Sequence, residues 1–201
     1  MLTIRTPLLG LLALTTLTAL GQAQAAEWQL DPSHMRVGFS VEHLGFSTVH
    51  GQFDQVSGQI SYDPAKPKAT TVSARIDTRS INTGWAKRDE HLRTADFFNA
   101  ENFPAMTFKS TSIQWQGKTR AKLKGELTLL GVTRPVVMDV QIKKHAASPI
   151  TKLDTIGFHA TTTVKRSDFG MKTYVPMITD AVPVVIDAEL IPASPEAPAG
   201  Q

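Results

Sequence analysis

Apolar and polar residues alternate with a period of two along most of this chain, the pattern of half-buried β-strands. Val37, Phe39 and Val41 share one face of a strand whose other face carries Arg36, Ser40 and Glu42. Val72, Ala74 and Ile76 alternate with Ser73, Arg75 and Asp77. Ala121, Leu123, Leu127 and Leu129 alternate with Lys122, Lys124, Glu126 and Thr128, and Val136, Met138, Val140 and Ile142 face away from Asp139 and Gln141. Phe158, Ala160, Thr162 and Val164 form another stripe, and Val182, Val184, Ile186, Ala188 and Leu190 a last one. The spacing predicts antiparallel strands, apolar inward and polar outward. Val41, Val72, Ile76, Leu127, Leu129, Met138, Val140, Phe158 and Val184 should face the interior. Arg75, Lys122, Lys124, Glu126, Asp139 and Asp187 should face water.

Turn chemistry falls between the stripes. Asp63-Pro64 ends one strand, Gln116-Gly117-Lys118 links two, and Gly131 to Pro135 links the next pair. Near Ser110 the apolar parity switches, from Met106 and Phe108 to Ile113 and Trp115. A β-bulge there would bend the sheet. One short helix is expected from about Trp85 to Arg93, started by Thr83 or Gly84. The fold class is therefore all-β, an up-and-down antiparallel barrel or a sandwich; the long stripes with small inward residues favour the barrel, of about eight strands with one short helix and a capping loop. Small inward residues leave room in such a barrel for one ligand.

Two charged stretches interrupt the alternation, Arg88-Asp89-Glu90-His91-Leu92 and Lys165 to Met171. They are expected to meet at one barrel end, where at least one ion pair or charge-assisted hydrogen bond should link the segment Trp85–Phe98 to the segment Arg166–Asp180 and close the cavity. Residues 1–25 read as a signal peptide: Arg5, then an apolar run from Leu8 to Leu20, then Ala23-Gln24-Ala25 before the cleavage point. Residues 26–191 would form the barrel domain, and residues 192–201 a disordered Pro/Ala-rich tail. The expected home is the periplasm. There is no cysteine, so neither a lipid anchor nor a disulfide nor a thiolate nucleophile is available. The net charge of +3 is scattered, with no basic stripe interleaved with aromatics, which argues against nucleic acid as a partner.

The order of motifs resembles the YceI-like family, the lipocalin-like polyisoprenoid-binding proteins of bacteria, from Trp28 to Leu190. The resemblance rests on Leu30 to His34, Val41 to Gly51, Arg88 to Leu92, Asp96-Phe97-Phe98, Phe103-Pro104 and Phe108-Lys109-Ser110. It continues through Gly125 to Thr128, Gly131 to Val136 and Lys165 to Met171. Met35 and Ala181 depart from the family pattern. The resemblance implies an extended, lipocalin-like antiparallel β-barrel around an elongated apolar cavity that binds a long-chain isoprenoid or similar amphiphile, and no established catalysis.

The residues expected to contact that ligand are Phe39, Val41, His43, Phe46, Val72, Ile76, Phe97, Phe98, Phe108, Leu127, Leu129, Met138, Phe158, Val164, Arg166, Phe169, Met171 and Tyr174. His43 continues an inward parity, so it sits either at the ligand's head or as a hydrogen-bonded core histidine. Arg166 likewise points inward and needs a carboxylate, carbonyls or a phosphate. His34, His43, His50 and His91 lack the close spacing of a zinc site, so no metal is expected. No Gly-x-Ser-x-Gly elbow surrounds a serine, which argues against a triad of Ser167, Asp168 and His91. No catalytic residue and no cofactor are expected, apart from a bound isoprenoid lipid. The alternatives are an enzyme acting on a lipid head group through His43 or His91, and a packed interaction barrel without ligand. Homodimer formation is compatible with either.

Overall fold

Strands that alternate in polarity must bury one face, and this chain does so by closing its sheet on itself. The computed structural model describes residues 26–63 and 65–193. The strands are β1 (Ala26–His43), β2 (Ser47–Phe53), β3 (Val56–Tyr62), β4 (Thr71–Asp77) and β5 (Ile81–Asn82). After the helix α1 (Ala86–Arg93) come β6 (Ala105–Gln116), β7 (Arg120–Leu129), β8 (Val132–Ala147), β9 (Asp154–Lys165) and β10 (Ala181–Pro192). All pairings are antiparallel, and β10 pairs with β1 to close the ring. The long β1 pairs with β3 through its first half and β2 through its second. Because β2 runs on into β3, and β4 into β5, the ten strands make an eight-stranded closed barrel.

Nine interior positions expected from parity all line the internal cavity, Val41 and Met138 among them. Arg75, Lys124, Glu126, Asp139 and Asp187 are exposed, and Lys122 reaches out to Asp139 at 2.7 Å. The register slips between Ser110 and Ser112, where the parity switch placed a bulge. There the Ser110 hydroxyl accepts the Val72 N–H at 2.8 Å, so the bulge also serves the neighbouring strand. The helix starts one residue later than the sequence suggested, with Trp85 at its N-cap. The sheet also runs one residue further, since Pro192 pairs with Trp28. The expected signal peptide, residues 1–25, and all but Pro192 and Ala193 of the expected tail lie outside the described residues.

A second irregularity opens β1 itself. Between Leu30, opposite Leu190, and Met35, opposite Ala188, four residues face only Glu189. The excursion is held by Asp31, which accepts the Ser33 N–H at 2.9 Å, its hydroxyl at 2.6 Å, and His34 Nδ1 at 2.9 Å. Those bonds, from Ser33 first and then His34, hold the Asp31 carboxyl at a pKa of about 2. His34 is raised in turn by Asp31 and Glu189. A depressed carboxylate stabilises the fold above its unfolded pKa and loses that contribution as pH falls toward 2. In a pH titration followed by NMR, His34→Ala should move the Asp31 midpoint up toward its ordinary 3.8. An unmoved midpoint would show that His34 does not act on Asp31.

Gly51 and Gly125 admit the rings of Phe39 and Phe108 across the strands. A Cβ on Gly125 would lie 2.3 Å from Phe108 Cζ and 2.6 Å from the Lys109 carbonyl oxygen. Because a backbone atom is involved, the ring cannot absorb the clash alone. Gly125→Ala should cost about 2 kcal/mol in urea unfolding, within the range for overpacked interiors. An unchanged midpoint would contradict this packing.

Candidate ligand cavity

The barrel is not filled. A cavity of about 620 Å³ runs along its axis. Its walls are the inward stripes of all the long strands, and the two ends are built differently. At the end carrying the β3–β4, β6–β7 and β8–β9 turns, Trp28, Ile60, Ile156 and Leu190 pack into a buried cluster. Tyr62 and Trp115 meet above it at 6.2 Å, and Trp115 Nε1 donates to the Pro67 carbonyl at 2.8 Å. Burial, with Asp63 nearby, pushes the Tyr62 phenol above its ordinary pKa and keeps it neutral. This end is stoppered.

The opposite end carries α1 and the segment joining β9 to β10, which folds across the barrel as a strap. Trp85, Lys87, His91 and Tyr174 both line the cavity and are exposed, so the mouth lies here. The two charged stretches do meet at this end, but through rings. Tyr174 lies 6.5 Å from the His91 ring and 6.3 Å from Phe97. The expected ion pair between them is corrected: among the described residues none joins α1 to the strap.

Each charged stretch instead folds back on nearby backbone. Arg166, only 5% exposed, donates to four carbonyls of the strap: Thr179 at 3.0 Å, Met171 at 3.2 Å, Thr173 at 2.9 Å and Ile178 at 2.9 Å. Burial pulls its guanidinium below the ordinary value while Asp180 opposes. Asp180 accepts the Ser167 N–H at 2.8 Å and its hydroxyl at 2.6 Å. Burial pushes the Asp180 carboxyl up, but the Ser167 bonds and the cations Lys165 and Arg166 outweigh it and hold it low. In α1, buried Asp89 accepts the Thr83 N–H at 2.9 Å and its hydroxyl at 2.5 Å. Arg88 donates to the same hydroxyl at 2.7 Å and to the Thr83 carbonyl at 2.8 Å. Thr83 is thus the knot that ties the helix start to the barrel.

Of the expected ligand contacts, Phe39, Val41, His43, Val72, Ile76, Phe97, Phe98, Phe108, Leu127, Leu129, Met138, Phe158, Val164, Arg166, Met171 and Tyr174 line the cavity. Two do not. Phe46 closes the β1–β2 turn, where strand parity no longer applies, and is 88% exposed. Phe169 ends the short helical turn Arg166–Phe169 and is buried in the core with Val37 and Phe97, outside the cavity wall. Arg166 lines the wall, yet four of the guanidinium's five N–H donors are committed to the strap. The sequence reading missed Met35, Phe53, Trp85 and Leu92, which also line the cavity. Phe53 could have been found from its parity with Gly51 and Val49.

The lining holds the cations Lys87, Arg88 and Arg166 and the histidines His43 and His91, and no aspartate or glutamate among the described residues. Ser167 bonds to Asp180, and His91 to Asp96 at 3.0 Å, so Ser167, Asp168 and His91 do not assemble as a triad. Nor do the four histidines converge. Among the described residues the one trio whose ligand atoms lie within 4.8 Å of one another is Asp31, His34 and Glu189, outside the barrel and already knitted by hydrogen bonds.

Comparison with known proteins places this geometry. A model of the YceI-like domain matches residues 28–190. A UPF0312 protein of Ectopseudomonas mendocina is 36% identical over 171 residues, covering 84% of this chain and 89% of its own. Protein YceI of Escherichia coli O157:H7 is 35% identical over 184 residues, covering 90% and 95%. The crystal structure of the Campylobacter jejuni YCEI protein superposes with a TM-score of 0.69 at 32% identity, over 76% of this chain and 90% of that one. A polyisoprenoid binding domain from Saccharophagus degradans shares the fold, with a TM-score of 0.65 at 16% identity over 85% and 100%.

Proposed function

This chain belongs to the YceI-like family, and on that premise we propose that it is an exported protein that carries, stores or scavenges a long-chain isoprenoid lipid in its barrel. The observation that carries the reading is the long apolar cavity, stoppered at one end and open at the other. Burying even ten methylene equivalents of a prenyl tail contributes roughly 8 kcal/mol gross, at about 0.8 kcal/mol each. Association and chain ordering offset much of that, leaving moderate affinity with broad tolerance of tail chemistry. The polyisoprenoid binding domain with the same fold supports the choice of ligand class.

Where the cavity wall reaches the mouth it offers the cations Lys87 and Arg88 and no carboxylate, which suits a head such as a prenyl phosphate, and a quinone head would also find donors there. The reading assigns no catalysis, since the histidines and serines near the mouth are not arranged as a nucleophile with its base. Export to the periplasm follows from the leader read in residues 1–25, and among the described residues no helix is long and apolar enough to cross a membrane. Organic extraction of the purified protein followed by mass spectrometry should recover an isoprenoid. No recovered lipid, together with no uptake of added prenols, would contradict the proposal.

A further inference from the structure

The mouth is rimmed by apolar side chains that point into solvent. Phe46 and Leu44 come from the β1–β2 turn, Trp85 from the helix N-cap, and Tyr174 and Met177 from the strap. All five are exposed, and they come from three segments far apart in sequence. The segments are coupled: Leu44 N–H donates to the Met177 carbonyl at 2.9 Å, and Tyr174 faces the His91 ring on the helix. Among the described residues the stoppered end shows no such ring, only Ile150 and Leu153 of one turn.

Leu44 is the informative residue. It and Gly45 take the middle of a turn with φ of 57° and 75°, closed by Phe46 N–H to the His43 carbonyl at 3.0 Å. Both φ angles being positive makes this the mirror-image type I′ turn, which favours Asn-Gly. A leucine there is strained and, at 48% exposure, leaves about half of its apolar surface in water. The β7–β8 turn uses Leu130 and Gly131 in the same conformation, but Leu130 packs against the core. Burial therefore accounts for the leucine in one turn and not in the other.

Charge narrows what could cover the rim. The charged side chains directly flanking the five rim residues, Lys87, Arg88 and Lys172, are cationic; the first carboxylates follow further along α1, where Asp89 is buried on Thr83, Glu90 is exposed and Asp96 is paired with His91. Exposed aromatics set among cations, around the mouth of an apolar cavity, match the boundary of an anionic bilayer. We propose that this rim docks the open mouth onto the surface of an anionic lipid bilayer, so that a lipid passes between membrane and cavity without crossing water. The purpose of the docking rests on the carrier reading; the docking itself does not.

Phe46 and Met177 lie outside the cavity wall, so they can be changed without touching the ligand site. The delipidated mature protein and its Phe46→Ser/Met177→Ser variant would be floated with vesicles of phosphatidylethanolamine and phosphatidylglycerol, and with vesicles of phosphatidylcholine alone. The parent should bind the anionic vesicles more tightly, and the variant should lose roughly tenfold in partitioning. Uptake of a prenol offered from dilute ethanol should be unchanged by the variant. Absence of vesicle binding, or equal binding by the variant, would overturn the docking face. So would a dimer, seen by sedimentation of the protein alone, that the variant dissolves, because the rim would then be a contact between copies. Vesicle binding without any uptake would sink the carrier reading alone.

Discussion

Arg166→Ala will lower the stability of the delipidated protein by about 3–5 kcal/mol, the range for stranding the partners of a buried charged group. Its guanidinium collects carbonyls from Met171, Thr173, Ile178 and Thr179, which point inward along the strap. Without it those carbonyls have no donor, and water must enter or the strap must leave the barrel end. Arg166→Lys should recover little, because one ammonium cannot span four acceptors set around a planar fork. Urea unfolding followed by far-UV circular dichroism reads the loss. A change below about 1 kcal/mol would mean that the strap is held by its apolar side chains instead.

Ala160→Phe will remove uptake of long prenols while leaving the barrel folded. Ala160 is buried, faces the cavity, and lies between Val140 and Ile186 on the neighbouring strands. A phenyl ring there projects into open space rather than packed wall, so stability should stay within about 1 kcal/mol of the parent. The ligand loses that space. Affinity for a long prenol should fall at least about tenfold, and less for a short one that fits beneath the block. No loss for either would place the ligand elsewhere.

The barrel was legible because closing a sheet leaves period-two alternation in nearly every strand. Val136, Met138 and Val140 could only face one way, and the parity switch near Ser110 marked a real bulge. The breaks that separate β2 from β3 and β4 from β5 went unread, although the inward parity changes at both, from Phe53 to Val56 and from Ile76 to Ile81. The wall of the cavity followed from the same alternation. The mouth did not, because its residues sit in turns, a helix cap and the strap, where no period applies. Phe46 and Phe169 were misplaced for that reason. Arg166 shows a further limit: its need for acceptors could be read from its inward position, but backbone carbonyls from a folded strap have no signature in side-chain identity. The pairing expected between the two charged stretches failed on the same point, each having found partners within its own segment.

The central claim is that the cavity holds an isoprenoid tail, and a homologous series of prenols tests it most directly. Affinity of the delipidated protein would be measured for alcohols that differ by one isoprene unit. Each added unit buries about five carbons, so affinity should rise by about tenfold or more per unit until the cavity is full, then level off. A series that is flat from the shortest member, or that shows no binding at any length, would contradict the account.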